Sequence, residues 1–128
     1  MFEQTEAFSG YSVDSKQEAL VFYGDVLGCD VTDNGMGLEL HFPNGHTVFL
    51  YEKADHEPAG FTVLNFPVDD IDKAVDDLVV KGIDMLTYDD LPSEQDGKAI
   101  LRGKEAGMGP DIAWFKDPAG NVLSVLEN

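Results

Sequence analysis

The two halves of this chain repeat one pattern, and no other feature of the sequence restricts the possible folds as much. Residues 8–14, FSGYSVD, read as a strand ending in Val-Asp, and residues 61–69, FTVLNFPVD, end the same way. Each is followed by a segment of helical character, SKQEALVFYGDVLG over 15–28 and DIDKAVDDLVVKG over 70–82. Ala19, Leu20, Tyr23 and Leu27 recur at helical spacing in the first, and Ile71, Ala74, Val75, Leu78 and Val79 in the second. Asp14 and Asp69 stand where an N-cap carboxylate would accept from free amides, and Gly28 and Gly82 where a C-cap needs positive φ. Three short strands are expected after each helix. They are Cys29–Thr32, Leu38–Phe42 and Thr47–Glu52 in the first half, and Asp84–Tyr88, Ile112–Lys116 and Asn121–Glu127 in the second. The turns Pro43-Asn44-Gly45 and Asp117-Pro118-Ala119-Gly120 join the last two strands of each set.

The order strand, helix, strand, strand, strand is therefore stated twice. The expected fold class is α+β, with two βαβββ modules at about 6–54 and 60–128 of a single 128-residue domain. A sheet carrying one helix leaves its other face bare, and two modules can turn their bare faces toward a shared cavity of the kind that takes small ligands. Strand parity then assigns sides. Leu38, Leu40, Val48, Leu50, Leu123 and Val125 suit the helix side. Phe8 and Val63, each six residues before the helix-starting Asp, are left on the cavity side with Asn65, Thr47, Phe49, Tyr51, Val122, Ser124 and Leu126. The same argument puts Glu39, His41, Trp114 and Lys116 on that face, provided no bulge reverses it.

Composition removes several function classes. Eight Lys and Arg against 25 Asp and Glu give a net charge of −17, which repels phosphate backbones and anionic headgroups, so neither nucleic acid nor membrane is an expected partner. A basic or neutral ligand should approach more readily than an anionic one. No apolar run approaches the ~18 residues of a membrane span, and MFEQTEAF has no signal-peptide pattern. The only cysteine, Cys29, can form no internal disulfide, so a reduced cytoplasm is the expected setting. Beside Asp30 its thiolate is disfavoured, and it reads as structural.

At the level of motifs, the pattern resembles the vicinal oxygen chelate superfamily of glyoxalases, extradiol dioxygenases, fosfomycin-resistance enzymes and bleomycin-resistance proteins. The residues that carry the resemblance are Val13-Asp14 before a helix holding Phe22-Tyr23 and Leu27-Gly28, then Val68-Asp69 before the second helix, then Asp117-Pro118-Ala119-Gly120 before the last strand. The resemblance implies an incomplete barrel around a central cavity and, frequently, a homodimer. It also implies a divalent metal held by His or Glu from the first and last strand of each module. Those positions fall here on Phe8, Phe49, Val63 and Ser124. Two phenyl rings and an isopropyl group offer no donor, and one hydroxyl does not make a site. The expectation is thus no metal and no cofactor, and a pocket for a planar organic molecule. Phe8, Thr47, Phe49, Tyr51, Val63, Asn65, Trp114 and Ser124 are its candidate contacts, as in a sequestering resistance-type protein.

Two other readings stand beside it. One is a metal-dependent lyase, isomerase or dioxygenase with a relocated site at Glu39, His41 or the irregular run 89–110, which reads as a lid, a binding loop or a mobile segment. The other is a non-catalytic dimer whose cavity its own rings fill. His46 and His56 sit beside turns and are expected to be exposed. Gly103, Gly107 and Gly109 lack the ending of a phosphate loop, and no zinc-protease, Cys-x-x-Cys or nucleophile-elbow motif is present. Asp69-Asp70, Asp76-Asp77 and Asp89-Asp90 read as solvated charge.

Overall fold

The computed structural model describes residues 1–128, and the chain divides into two compact units, Met1–Pro58 and Ala59–Asn128. The first contains β1 (Ser9–Val13), α1 (Lys16–Leu20) continued by a π-helical turn (Val21–Val26), β2 (Asp30–Asp33), β3 (Leu38–His41) and β4 (Thr47–Glu52). The second contains β5 (Thr62–Pro67), α2 (Ile71–Val80), β6 (Leu101–Arg102), β7 (Asp111–Lys116) and β8 (Val122–Glu127). Each unit is thus a βαβββ module with one four-stranded mixed sheet, ordered β1-β4-β3-β2 and β5-β8-β7-β6. The first strand of each lies parallel to the last, and the remaining pairs are antiparallel.

Both helices begin one residue later than Asp14 and Asp69 suggest. Ser15 is the N-cap of α1 and accepts from the Glu18 amide at 3.2 Å, while Asp70 caps α2 by accepting from the Lys73 amide at 3.0 Å. A capping oxygen must reach an amide three residues on, and Asp14 and Asp69 sit one place too early for that. A second device repeats in both modules. The last strand of each ends in a glutamate that accepts from the first amide of its helix, Lys16 N to Glu52 at 2.9 Å and Ile71 N to Glu127 at 3.0 Å. The carboxylates thereby satisfy orphan amides at the positive ends of both helices and tie each helix to its sheet.

In the first helix the i→i+5 bonding departs from simple periodicity. Leu27 N donates to Phe22 O at 2.9 Å. The wider turn brings the adjacent Phe22 and Tyr23 inward together, and leaves Leu20 and Leu27 only half-buried. Gly28 at φ +74° then closes the helix, with Cys29 N donating to Tyr23 O. In α2, Ile71, Val75 and Leu78 are buried as the spacing predicts, but Val79 is exposed. Leu38, Leu40, Val48 and Leu50 form the core of the first unit with Val13, Ala19, Phe22 and Tyr23; Leu123, Val125, Ala113 and Phe115 do so in the second with the buried face of α2.

The expected strand over 84–88 is not formed. Its only ladder-like bond is Leu86 N to Trp114 O at 2.9 Å, and the strand position beside β7 is taken by Leu101–Arg102, paired with Ile112 and Asp111. The reason lies in Gln95. Its side-chain carbonyl accepts from Tyr88 N at 2.8 Å and its amide donates to Leu86 O at 2.9 Å and Ala99 O at 2.7 Å, so one side chain occupies the backbone groups that a strand would have used. Asp117, almost fully buried, accepts from the amides of Ala119 and Asn121 and from the Asn121 side chain, which organises the last turn as the sequence suggests.

Candidate functional site

In the first unit the two faces of the sheet separate cleanly. Leu38, Leu40, Val48 and Leu50 are buried on the helix side, and alternation puts Glu39, His41, Thr47, Phe49 and Tyr51 on the other. Across the open face, Thr32, Glu39, Phe49 and Gly10 lie in register, and Asp30, His41 and Thr47 form the adjacent row. Phe49 and Tyr51 stack at 5.9 Å with an interplanar angle of 21°. The Phe49 ring lies over Gly37, where a Cβ would come within 2.8 Å of ring carbons and 2.4 Å of the Leu50 carbonyl oxygen. A hollow of about 700 Å³ opens on this face, walled by Phe8, Phe49, Met36, Thr47, Glu39 and Glu6. Phe8 precedes β1 and is two-thirds exposed.

Glu39 is held by a chain of contacts. The Asn34 side-chain carbonyl accepts from the amides of Met36 and Gly37 at 2.9 and 3.0 Å, which turns its NH₂ group to the Glu39 carboxylate at 3.0 Å. His41 Nε2 lies 3.5 Å from the other Glu39 oxygen and 3.2 Å from Thr32 Oγ1. Glu39 and His41 thus meet, but no group of three or more His, Cys, Asp or Glu side chains is gathered to hold a metal ion. His46 is exposed; His56, against expectation, is half-buried, with Nδ1 2.6 Å from Ser12 Oγ, a contact that ties the segment after β4 to β1.

In the second unit, Ser124 pairs in register with both Asn65 and Trp114. Ser124 is fully buried and its hydroxyl donates to the Asn65 side-chain carbonyl at 2.6 Å. Trp114 is half-buried and meets the Tyr88 ring edge-on at 5.4 Å. The ladder is irregular between Thr62 and Leu64, so Val63 falls in a bulge, where simple alternation does not define its side. The donor chemistry of the four positions to which the resemblance assigns a metal does not fit a divalent ion: Phe8, Phe49 and Val63 have no donor atoms, and the Ser124 hydroxyl is already committed to Asn65.

The irregular run 89–110 is tied down at particular points that sequence reading did not find. Arg102 makes a bidentate pair with Asp72 on α2 at 2.8 and 3.1 Å, and its Nε donates to Asp96 at 2.9 Å. Arg102 holds the Asp72 carboxyl down to about 2. Lys98 joins Asp72 at 3.3 Å and Asp76 at 2.9 Å, and Lys104 pairs with Glu127. The only available signal was three cations, Lys98, Arg102 and Lys104, in one run of an otherwise acidic chain. The acidic pairs on α2 are likewise used locally: Asp70 caps the helix, Asp76 pairs with Lys98, and Asp77 with Lys73 at 2.6 Å. Burial pushes the Cys29 thiol up, which keeps it protonated and unreactive.

Two βαβββ modules with mixed sheets and open, partly aromatic faces define a glyoxalase-type fold. The model of the Glyoxalase/Bleomycin resistance protein/Dioxygenase superfamily matches residues 9–125, and the chain belongs to that family. Solved structures agree on the fold. A glyoxalase family protein from Bacillus anthracis superposes with a TM-score of 0.67 at 19% identity, covering 100% of this chain and 99% of that one. The fosfomycin resistance protein FosX from Listeria monocytogenes gives 0.68 at 10% identity, covering 98% and 93%. TnmS3, an antibiotic binding protein from Streptomyces sp. CB03234, gives 0.63 at 19% identity, covering 97% of each chain. No curated protein sequence matches the chain. No helix is long and apolar enough to cross a membrane.

Proposed function

We propose that this protein binds a small aromatic organic molecule without a metal ion, as a sequestering protein of the resistance type. The observation that carries this reading is the hollow of about 700 Å³ walled by Phe8 and Phe49, the residues on which the resemblance to the family places two of its metal positions. A volume of that size takes a drug-sized molecule, and aromatic walls favour a flat one. Phe8, Thr47 and Phe49 supply the contacts, with Tyr51 stacked on Phe49; Val63, Asn65, Trp114 and Ser124 lie on the second module and do not line this hollow, and Ser124 is fully buried against Asn65. An antibiotic binding protein of the same fold supports the comparison.

The functional form is proposed to be a homodimer in a reduced cytoplasm, the latter supported by the single, half-buried cysteine. The test combines metal analysis of the purified, untagged protein with thermal melts in Ni²⁺, Zn²⁺, Mn²⁺ and Fe²⁺ and with a library of aromatic compounds. No bound metal and a shift with some aromatic compounds is the expected result. One metal per chain with a stabilising shift would overturn it in favour of a metalloenzyme, and an absence of any binder would overturn it outright. Light scattering checks the dimer.

A further inference from the structure

We infer that the hollow on the first module selects organic cations, with Glu39 as the specificity-determining residue. This rests on the reading of that hollow as the ligand site. No Lys, Arg or His lines it, and its charged walls are two carboxylates, Glu6 and Glu39. Glu39 and Phe49 are direct cross-strand neighbours on the same face, which places an anion beside an aromatic ring. A cationic group on a flat ligand meets the ring face and the carboxylate together, whereas a neutral ligand meets only the ring and an anionic one is repelled.

The placement of the carboxylate is built into the fold. Asn34 is locked by two backbone amides, and its NH₂ group holds one Glu39 oxygen. Gly37 performs the matching task for the ring, since a side chain there would collide with Phe49. The loop that positions the anion, 34–37, thus also makes room for the ring beside it. This local arrangement differs from the general attraction of a −17 protein for cations. The general field is screened beyond a Debye length of about 10 Å at 0.1 M salt, but a contact pair in a pocket is screened far less.

Three bicyclic aromatic probes test the inference: N-methylquinolinium (cation), its neutral isostere 1-methylnaphthalene, and 1-naphthoate (anion), titrated by ligand-observed NMR in 0.5 M NaCl. N-methylquinolinium is expected to bind about tenfold more tightly than 1-methylnaphthalene, a factor set by one cation–π and ion-pair contact, with 1-naphthoate weakest. Glu39→Gln keeps the Asn34 contact and should bring N-methylquinolinium binding down to that of 1-methylnaphthalene measured on the same variant. Phe49→Ala should weaken all three. Equal binding of the three probes would overturn the inference and leave the aromatic-pocket reading standing. A cation preference that survives Glu39→Gln would overturn the role of Glu39. Failure of all three to bind would overturn both readings.

Discussion

Gln95→Glu exchanges one atom group for another of the same size, and its consequences follow from three hydrogen bonds. The wild-type side chain accepts from Tyr88 N and donates to Leu86 O and Ala99 O. An ionised glutamate retains the acceptor but places an oxygen where the donor stood, 2.9 and 2.7 Å from two carbonyl oxygens. Two donations at about 1 kcal/mol each are lost. The repulsion that replaces them turns the side chain outward and weakens the third. The expected cost is roughly 2 kcal/mol, with about 3 kcal/mol as the ceiling if all three bonds go.

The pH dependence gives the sign. Facing two carbonyls, the new carboxyl titrates above the ordinary Glu value of about 4.3. When protonated it regains one donor, so the deficit relative to wild type should shrink as pH falls from about 6 toward 4. Urea titrations of both proteins across that range measure the stability difference. Trp114 reports on the local change, because it is the only tryptophan and Tyr88, whose amide Gln95 holds, covers it edge-on. Unfolding midpoints that coincide at pH 7, with unchanged Trp114 emission, would refute the account of Gln95 as the organiser of the 86–99 segment.

The Asp72–Arg102 pair should contribute stability at all pH values above about 3.8, the ordinary value for Asp72, and lose it progressively toward about 2, its value in the folded protein. Arg102→Met should flatten the acid limb in that window, and acid titration of the melting temperature checks it. Gly37→Ala puts a Cβ 2.4 Å from a backbone oxygen and 2.8 Å from the Phe49 ring. Overpacking of that kind costs about 1–3 kcal/mol, and chemical denaturation should show it together with weaker binding of aromatic probes. Burial pushes the Cys29 thiol up, so its reaction with a disulfide reagent at pH 8 should be slower than that of a free thiol and should accelerate in urea. A rate equal to that of glutathione would contradict its burial.

The alternation of side chains made much of the first module legible. Val48, Leu50, Leu38 and Leu40 had to face one way, and Thr47, Phe49, Glu39 and His41 the other, because no irregularity interrupts β3 and β4. The same argument fails at Val63, where a bulge in β5 breaks the count. It failed too at 84–88, where an apolar, strand-like pattern lost its ladder to a glutamine. The π-helical turn was invisible because its spacing, seen from the residues alone, reads as an ordinary helix with a slightly misplaced apolar stripe.

What the sequence determined alone are the features that depend on neighbours a few positions apart. These are the duplicated order of elements, the polar N-caps to within one residue, the glycines at φ +74° and +87° that end the helices, and the aspartate-led final turn. Local sterics and short-range hydrogen bonds set these, and both are written in adjacent residues. Only the tertiary structure decided which glutamate ties each helix to its sheet, which segment pairs with β7, and what holds Glu39 beside Phe49. The Ile71–Glu127 bond joins residues 56 positions apart, and the Arg102–Asp72 pair residues 30 apart. Contacts at that separation depend on how the chain returns upon itself, because closing the loop must be repaid by packing that no local window contains.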